Sequence, residues 1–200
     1  MIVLVILLVS SVALIRSFNA STSVSGALAL RRDLVNQSER AINYVTNTAF
    51  STTSANQLTQ GMRFVNQSTF NYSACQLPVD VHGVPTILSD TDTNFNGSTD
   101  TQAEPWADGA CKGTIAQTSN DIPDPLANTG ITVRYVIDRL CGQTGDYSFT
   151  TCSSTPKSIS KYKDYFSEYL NATRTPIYRV SVRAQDPRGA TTYVQTTFSN

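Results

Sequence analysis

Residues 1–16 read MIVLVILLVSSVALIR, fifteen residues apolar but for Ser10 and Ser11 and then closed by Arg16. As a helix those fifteen residues span about 22 Å, against roughly 30 Å for the hydrocarbon core of a bilayer. That length suits the apolar core of a signal peptide. Yet no basic region precedes it, and cleavage after Ala20 would put Phe18 where a small side chain is wanted. A buried core helix has a similar length. The segment's place at the extreme end and its almost uniformly apolar circumference oppose that reading. The expectation is a membrane or assembly helix.

From Phe18 the apolar residues thin out, and no proline interrupts the chain before Pro78. Val24, Leu28, Val35, Ile42, Val45 and Ala49 recur at spacings of three, four and seven, which places them on one helical stripe. Arg31, Arg32, Asp33, Glu39 and Arg40 occupy much of the remainder. Gly26 is a weak point, costing about 1 kcal/mol against alanine in a helix interior. The pattern predicts one helix to about Phe50, apolar all round at first and amphipathic afterwards. It divides the chain into a helix over 1–50 and a globular head over 51–200.

Three strands are legible late in the head. Residues 131–140 (ITVRYVIDRL) alternate, with Ile131, Val133, Tyr135 and Ile137 on one face. Residues 177–184 (IYRVSVRA) alternate Tyr178, Val180 and Val182 against Arg179, Ser181 and Arg183, and residues 191–198 (TTYVQTTF) are rich in β-formers. Between the last two, Gln185 to Gly189 has the Asp-Pro and glycine chemistry of a hairpin turn. The expected fold class is α+β: an antiparallel sheet with one face buried under the helix stripe. Ser158 to Leu170 is expected to form a short tyrosine-rich helix.

Cys75, Cys111, Cys141 and Cys152 form an even set without a CxxC pair, which reads as two disulfides in an oxidising compartment. Of three pairings, Cys75–Cys111 with Cys141–Cys152 is favoured, the second closing a short loop that holds Gly142 and Gly145. Charged residues make up only 15% of the chain, well below the usual quarter, and Ser, Thr and Asn fill the gap, as suits an exported protein. Fifteen basic residues balance fifteen acidic ones, so no bulk attraction to nucleic acid or anionic lipid is indicated. The charge is uneven, however. Residues 78–130 carry eight acids against Lys112 alone, the composition of a loop-rich insert.

His82 is the single histidine, which excludes histidine-rich metal sites and disfavours Ser-His-Asp or Cys-His catalysis. No nucleophile, base and orienter set is evident, and the expectation is a protein that is not an enzyme. One cation site is a candidate. Asp92, Asn94 and Asn96 alternate before Gly97, with Asp100 at the ninth position and Asp90 just upstream, as in the first half of a calcium loop. Ala103 stands at the twelfth position where the bidentate glutamate belongs, so calcium and a solvated acidic loop remain equal readings. Asn19, Asn36, Asn66, Asn71, Asn96 and Asn171 begin glycosylation sequons of the kind this composition generates by chance. Tyr162, Tyr165, Phe166 and Tyr169, interleaved with lysines, are expected to pack on the sheet rather than contact single-stranded DNA, and Trp106 to anchor a loop.

At this point a family resemblance emerges. Val12-Ala13-Leu14-Ile15-Arg16-Ser17, then Ser25-Gly26-Ala27-Leu28-Ala29 and the amphipathic run to Phe50, resemble the N-terminal region of PilX-type minor pilins of bacterial type IV pili. Val133 to Ile137, Tyr178 to Arg183, Pro187-Arg188 and Tyr193-Val194-Gln195 are similar to the same group. The resemblance covers residues 8–50 and 131–198. It implies a pilin fold, a long helix on an antiparallel sheet with variable loops. It implies residence in the inner membrane as a single-pass protein, then in the pilus at the cell surface. The partners implied are other minor pilins and pilins, met through the helix, and a PilY-type tip adhesin. Two departures stand out. No basic leader ending in glycine precedes Met1, so the chain is expected to be either a processed form or one that lacks its true beginning, and the family's longer apolar segment favours the second. No carboxylate lies near Val5, which a tip or initiating position would tolerate. The expected function is a subunit that primes or caps pilus assembly. The alternatives are a type II secretion pseudopilin and a secreted calcium-binding or adhesive domain.

Overall fold

The computed structural model describes residues 2–51, 57–89, 111, 130–148, 150–156 and 174–199. Helix α1 runs unbroken from Ile2 to Ala49, 48 residues and about 72 Å. Two 3-10 turns, Gly61–Phe64 and Ser68–Phe70, lead to β1 (Tyr72–Ser73) and to the single turn α2 (Thr86–Ser89). The remaining strands are β2 (Thr132–Arg139), β3 (Ser154–Pro156), β4 (Arg174–Gln185) and β5 (Thr191–Ser199). β4 is the central strand. It pairs antiparallel with β2 on one flank, with β5 on the other, and with β3 beyond the end of β2.

The sheet is mixed rather than purely antiparallel, because β1 pairs parallel with β2 through Tyr72–Ile137 and Ser73–Asp138. Two residues carry no legible period, so this strand has no signature in the sequence. Asn71 sets it in place. It adopts φ of 49°, its side-chain amide donates to the Tyr135 carbonyl at 3.2 Å, and its own carbonyl accepts from Ile137 N–H at 2.9 Å. A buried side chain so committed is a poor glycan acceptor.

The core lies between α1 and the inner face of the sheet. Ile131, Val133, Tyr135 and Ile137 meet Tyr178, Val180, Val182 and Ala184 under Leu34, Ala41, Val45 and Ala49. Helix and sheet periods thus agree on one interface. The buried line on the helix differs from the expected stripe, however. It runs Leu34, Ser38, Ala41, Val45, Ala49, while Val35 and Ile42 are half-buried and Val24 and Leu28 are exposed. Two causes account for this. The head reaches only to Leu30, so the upper stripe residues have no sheet beneath them. Small residues also favour close approach: Ser38 and Ala41 face the sheet directly, and the Ser38 hydroxyl donates to the Leu34 carbonyl at 2.9 Å rather than remaining unpaired. At the foot of the helix Phe50 packs against Tyr178 and Phe198 with ring centroids 5.0 and 4.6 Å away, and the Arg63 guanidinium lies over Phe50 at 5.3 Å.

The second face of the sheet is covered as well, contrary to the expectation of one buried face. Leu77, Val84 and Leu88 pack over Val136 as a separate apolar cluster. Around it the outer-face residues Arg134, Asp138, Arg179 and Ser181 are buried. Cys75 is bonded to Cys111 and Cys141 to Cys152, and the Gln76 amide donates to the Cys141 carbonyl at 2.8 Å, so both bridges sit at the same end of the sheet.

Candidate functional site

The feature that the head does not absorb is the first half of α1. Every described side chain from Ile2 to Ala29 is exposed, with Ile2 at 78% and Phe18 at 68%. Soluble proteins rarely present so many contiguous apolar side chains unless another surface covers them. The only ionisable side chain among residues 2–30 is Arg16. Four of the polar side chains are also self-contained. Ser10 donates to the Ile6 carbonyl and Ser11 to the Leu8 carbonyl, both at 2.8 Å, Thr22 donates to Phe18 and Asn19, and Ser23 donates to Ala20. A hydroxyl already bonded to its own helix can enter an apolar phase without the cost of an unmet donor.

The helix is thus long and apolar enough to cross a membrane, and none of its apolar window is buried in the head. From Leu30 the same helix becomes part of the core. Stem and head share one continuous backbone, so a force or displacement at the stem reaches the sheet without an intervening hinge loop.

The head is held by a polar network on its outer face that the sequence pattern did not suggest. Asp138 and Arg179 are cross-strand partners, and the contact is bidentate: Nε to Oδ1 at 2.9 Å and Nη2 to Oδ2 at 2.5 Å. The Leu77 amide also donates to Oδ2 at 3.0 Å, which fastens the outer layer to the sheet. Burial pushes the Asp138 carboxyl above its ordinary range, and the Arg179 hydrogen bonds pull it back. Arg139 is buried with no carboxylate partner among the described residues; its guanidinium donates to the carbonyls of Ala74 at 2.8 Å and Gly145 at 2.6 Å. Read singly, alternating charges in a strand suggest a solvated face. The signal that would have found the pair is the register itself, because an Asp opposite an Arg on a covered face must bond to it.

Asp90, Asp92, Asn94, Asn96 and Asp100 lie outside the described residues, as do Trp106, the Ser158 to Leu170 segment and the Asn96 and Asn171 sequons. Among the described residues no group of three or more His, Cys, Asp or Glu side chains is arranged to hold a metal ion. His82 lies exposed in a turn whose Asp80 carboxylate accepts from the His82 and Val84 amides, both at 2.9 Å. Comparison of the chain with protein-family models, with curated proteins and with solved structures returned no match.

Proposed function

We propose that this chain is a minor pilin, a structural subunit that primes or caps a type IV pilus. The observation that carries the reading is the two-part helix. A fully exposed apolar stem continues without a break into a buried stripe beneath a disulfide-stapled sheet. Such a stem needs a partner phase at every stage. Before assembly that phase is the lipid of the inner membrane, and in the filament it is the bundled stems of neighbouring subunits, so lipid contact is exchanged for helix contact. Self-bonded serine and threonine hydroxyls suit both environments, because in lipid and in a helix bundle alike a backbone or side-chain donor must find an internal acceptor. The head then faces outward and offers its loops to other minor pilins and to a tip adhesin.

The test is immunogold labelling of sheared pili, with a deletion strain as control. Label at filament ends, with pili lost on deletion, is the expected result. Normal piliation in the deletion strain with no label on filaments overturns the proposal. Mass spectrometry of the exported protein supplies a second arm, since cleavage after Ala20 would remove the stem on which the reading depends.

A further inference from the structure

The edge of the sheet formed by β5 lies at the floor of an open slot. We infer that this slot accepts an extended, acidic segment of a partner protein as an added β-strand. β5 pairs with β4 in unbroken register from Thr191 to Ser199, and among the described residues no strand lies on its other side. It holds no proline, no charge and no bulge, the devices by which proteins ordinarily blunt a free edge. A row of amides and carbonyls without a partner among the described residues is left available, the template for strand addition.

A cavity of about 690 Å³ lies along this edge. One wall is α1 at Ala27, Leu30 and Arg31, on the inner side of the sheet, and the other is the turn at His82 and Val84, on the outer side. A cavity that touches both layers has to pass round the edge of the sheet, and the β5 residues lining it run from Thr191 to Gln195. The outer wall is fixed in place, because the Gln195 side-chain amide donates to the Gly83 carbonyl at 2.9 Å. Five residues of strand extend about 17 Å, enough for several ladder bonds.

The chemistry of the walls identifies the occupant. Arg31 is exposed, and its side chain makes no hydrogen bond or ion pair to another described residue. No acidic side chain is among the described residues lining the slot. A strand carrying a carboxylate at the position facing α1 complements Arg31. A second copy that adds its own β5 (TTYVQTTFS) edge to edge does not, because that strand has no acid to offer. The inference therefore commits to a different protein with an acidic extended segment, and it stands apart from the role of the stem.

Hydrogen–deuterium exchange of the full chain in detergent micelles tests it. The probes are short capped peptides alternating threonine and valine, one with a central glutamate and one with lysine in its place. The glutamate peptide should slow exchange over 190–199 and leave β1 unchanged. The lysine peptide should bind roughly three- to fivefold more weakly, the range of an exposed ion pair. Arg31→Glu, at an exposed helical site, should reverse that order while the head unfolds at the same temperature. Three results would each overturn the inference: no slowing at 190–199 with either peptide at millimolar concentration, an order unchanged by Arg31→Glu, or slowing without peptide that grows with protein concentration. The last would assign the edge to self-association.

Discussion

The buried pair of Asp138 and Arg179 allows the outer face of the head to be tested quantitatively. Asp138 is fully buried and Arg179 nearly so, and the carboxylate accepts three hydrogen bonds, two from the guanidinium and one from the Leu77 amide. Arg179→Met leaves a buried carboxylate with only the Leu77 amide. Asp138→Asn replaces one acceptor oxygen by a second donor, facing either Arg179 or Leu77. Breaking a buried pair from one side costs about 3–5 kcal/mol, because the remaining charge has lost its water and its partner. Removing both members, as Asp138→Leu with Arg179→Met, leaves the Leu77 amide unmet and takes from the Leu77 carbonyl its long 3.4 Å bond to Arg179, about 1–3 kcal/mol in all. The double variant should therefore be more stable than either single one. The Arg179→Met variant also strengthens a pH dependence whose sign is fixed. Burial raises the folded carboxyl above its unfolded value near 3.9, and losing Arg179 raises it further. The folded state then binds more protons than the unfolded one. Stability is fully present below the unfolded value and is lost as pH rises through the folded one, by up to about 1.4 kcal/mol per pH unit. Urea unfolding in mild detergent, followed by the near-ultraviolet circular dichroism of the tyrosines at pH 5 and pH 8, measures both effects. Single variants that lose less than about 1 kcal/mol, or an Arg179→Met variant equally destabilised at both pH values, would refute this account of the pair.

Three other outcomes follow from the head. Replacing Cys141 and Cys152 by serine opens a loop spanning 11 positions and should cost about 3 kcal/mol by loop entropy, read as a fall in the urea midpoint. Gly130→Ala should cost about 1–3 kcal/mol in the same assay, because Gly130 has φ of 67° and an added Cβ would lie 2.7 Å from Pro187 Cγ. Above pH 10 the protein should lose stability: burial pushes the Tyr72 and Tyr178 phenols upward, so the unfolded chain ionises first and folding is disfavoured by up to about 1.4 kcal/mol per pH unit for each phenol. Tyr72→Phe should roughly halve that slope, at the expense of the 2.8 Å bond from its hydroxyl to the Arg63 carbonyl.

How much of this was legible in the sequence depended on whether one residue or two set the structure. The unbroken α1 and the alternation of Tyr178, Val180 and Val182 are properties of one segment, and period alone finds them. The phase of the helix is a joint property of helix and sheet. Val35 and Leu34 are equally apolar, and the sheet selects Leu34 because Ser38 and Ala41 on its line let the backbones approach. The outer face is illegible from single positions for the same reason. Arg134, Asp138, Arg179 and Arg183 look solvated one at a time, yet pairing aligns Asp138 with Arg179 and the segment carrying Leu77, Val84 and Leu88 covers them. The stem is the converse case. Its exposure is legible because uniform apolarity needs no partner within the chain to be recognised. The slot beside β5 is the least legible, since it exists only where three elements meet.

Gly26 joins these two kinds of feature. It lies in the exposed stem, four residues before the head begins to cover the helix at Leu30, and a Cβ placed on it would meet nothing within 4 Å. No packing against the described residues requires a glycine there, although one in a helix interior costs about 1 kcal/mol against alanine. Gly26→Ala should consequently leave the head's urea midpoint unchanged and make the stem helix more resistant to amide exchange, by up to about fivefold near residue 26. Faster exchange there, or a weakened head, would mean that the glycine answers a constraint within the fold. If the expected result holds, the reason for a glycine at 26 is external to the chain. It then lies in what the stem contacts once it leaves its own head, and the same substitution scored for assembly in cells separates a close neighbour at that turn from a locally softened helix. A close neighbour makes alanine harmful to assembly in proportion to side-chain size. A softened helix makes alanine, serine and valine rank by helix propensity instead.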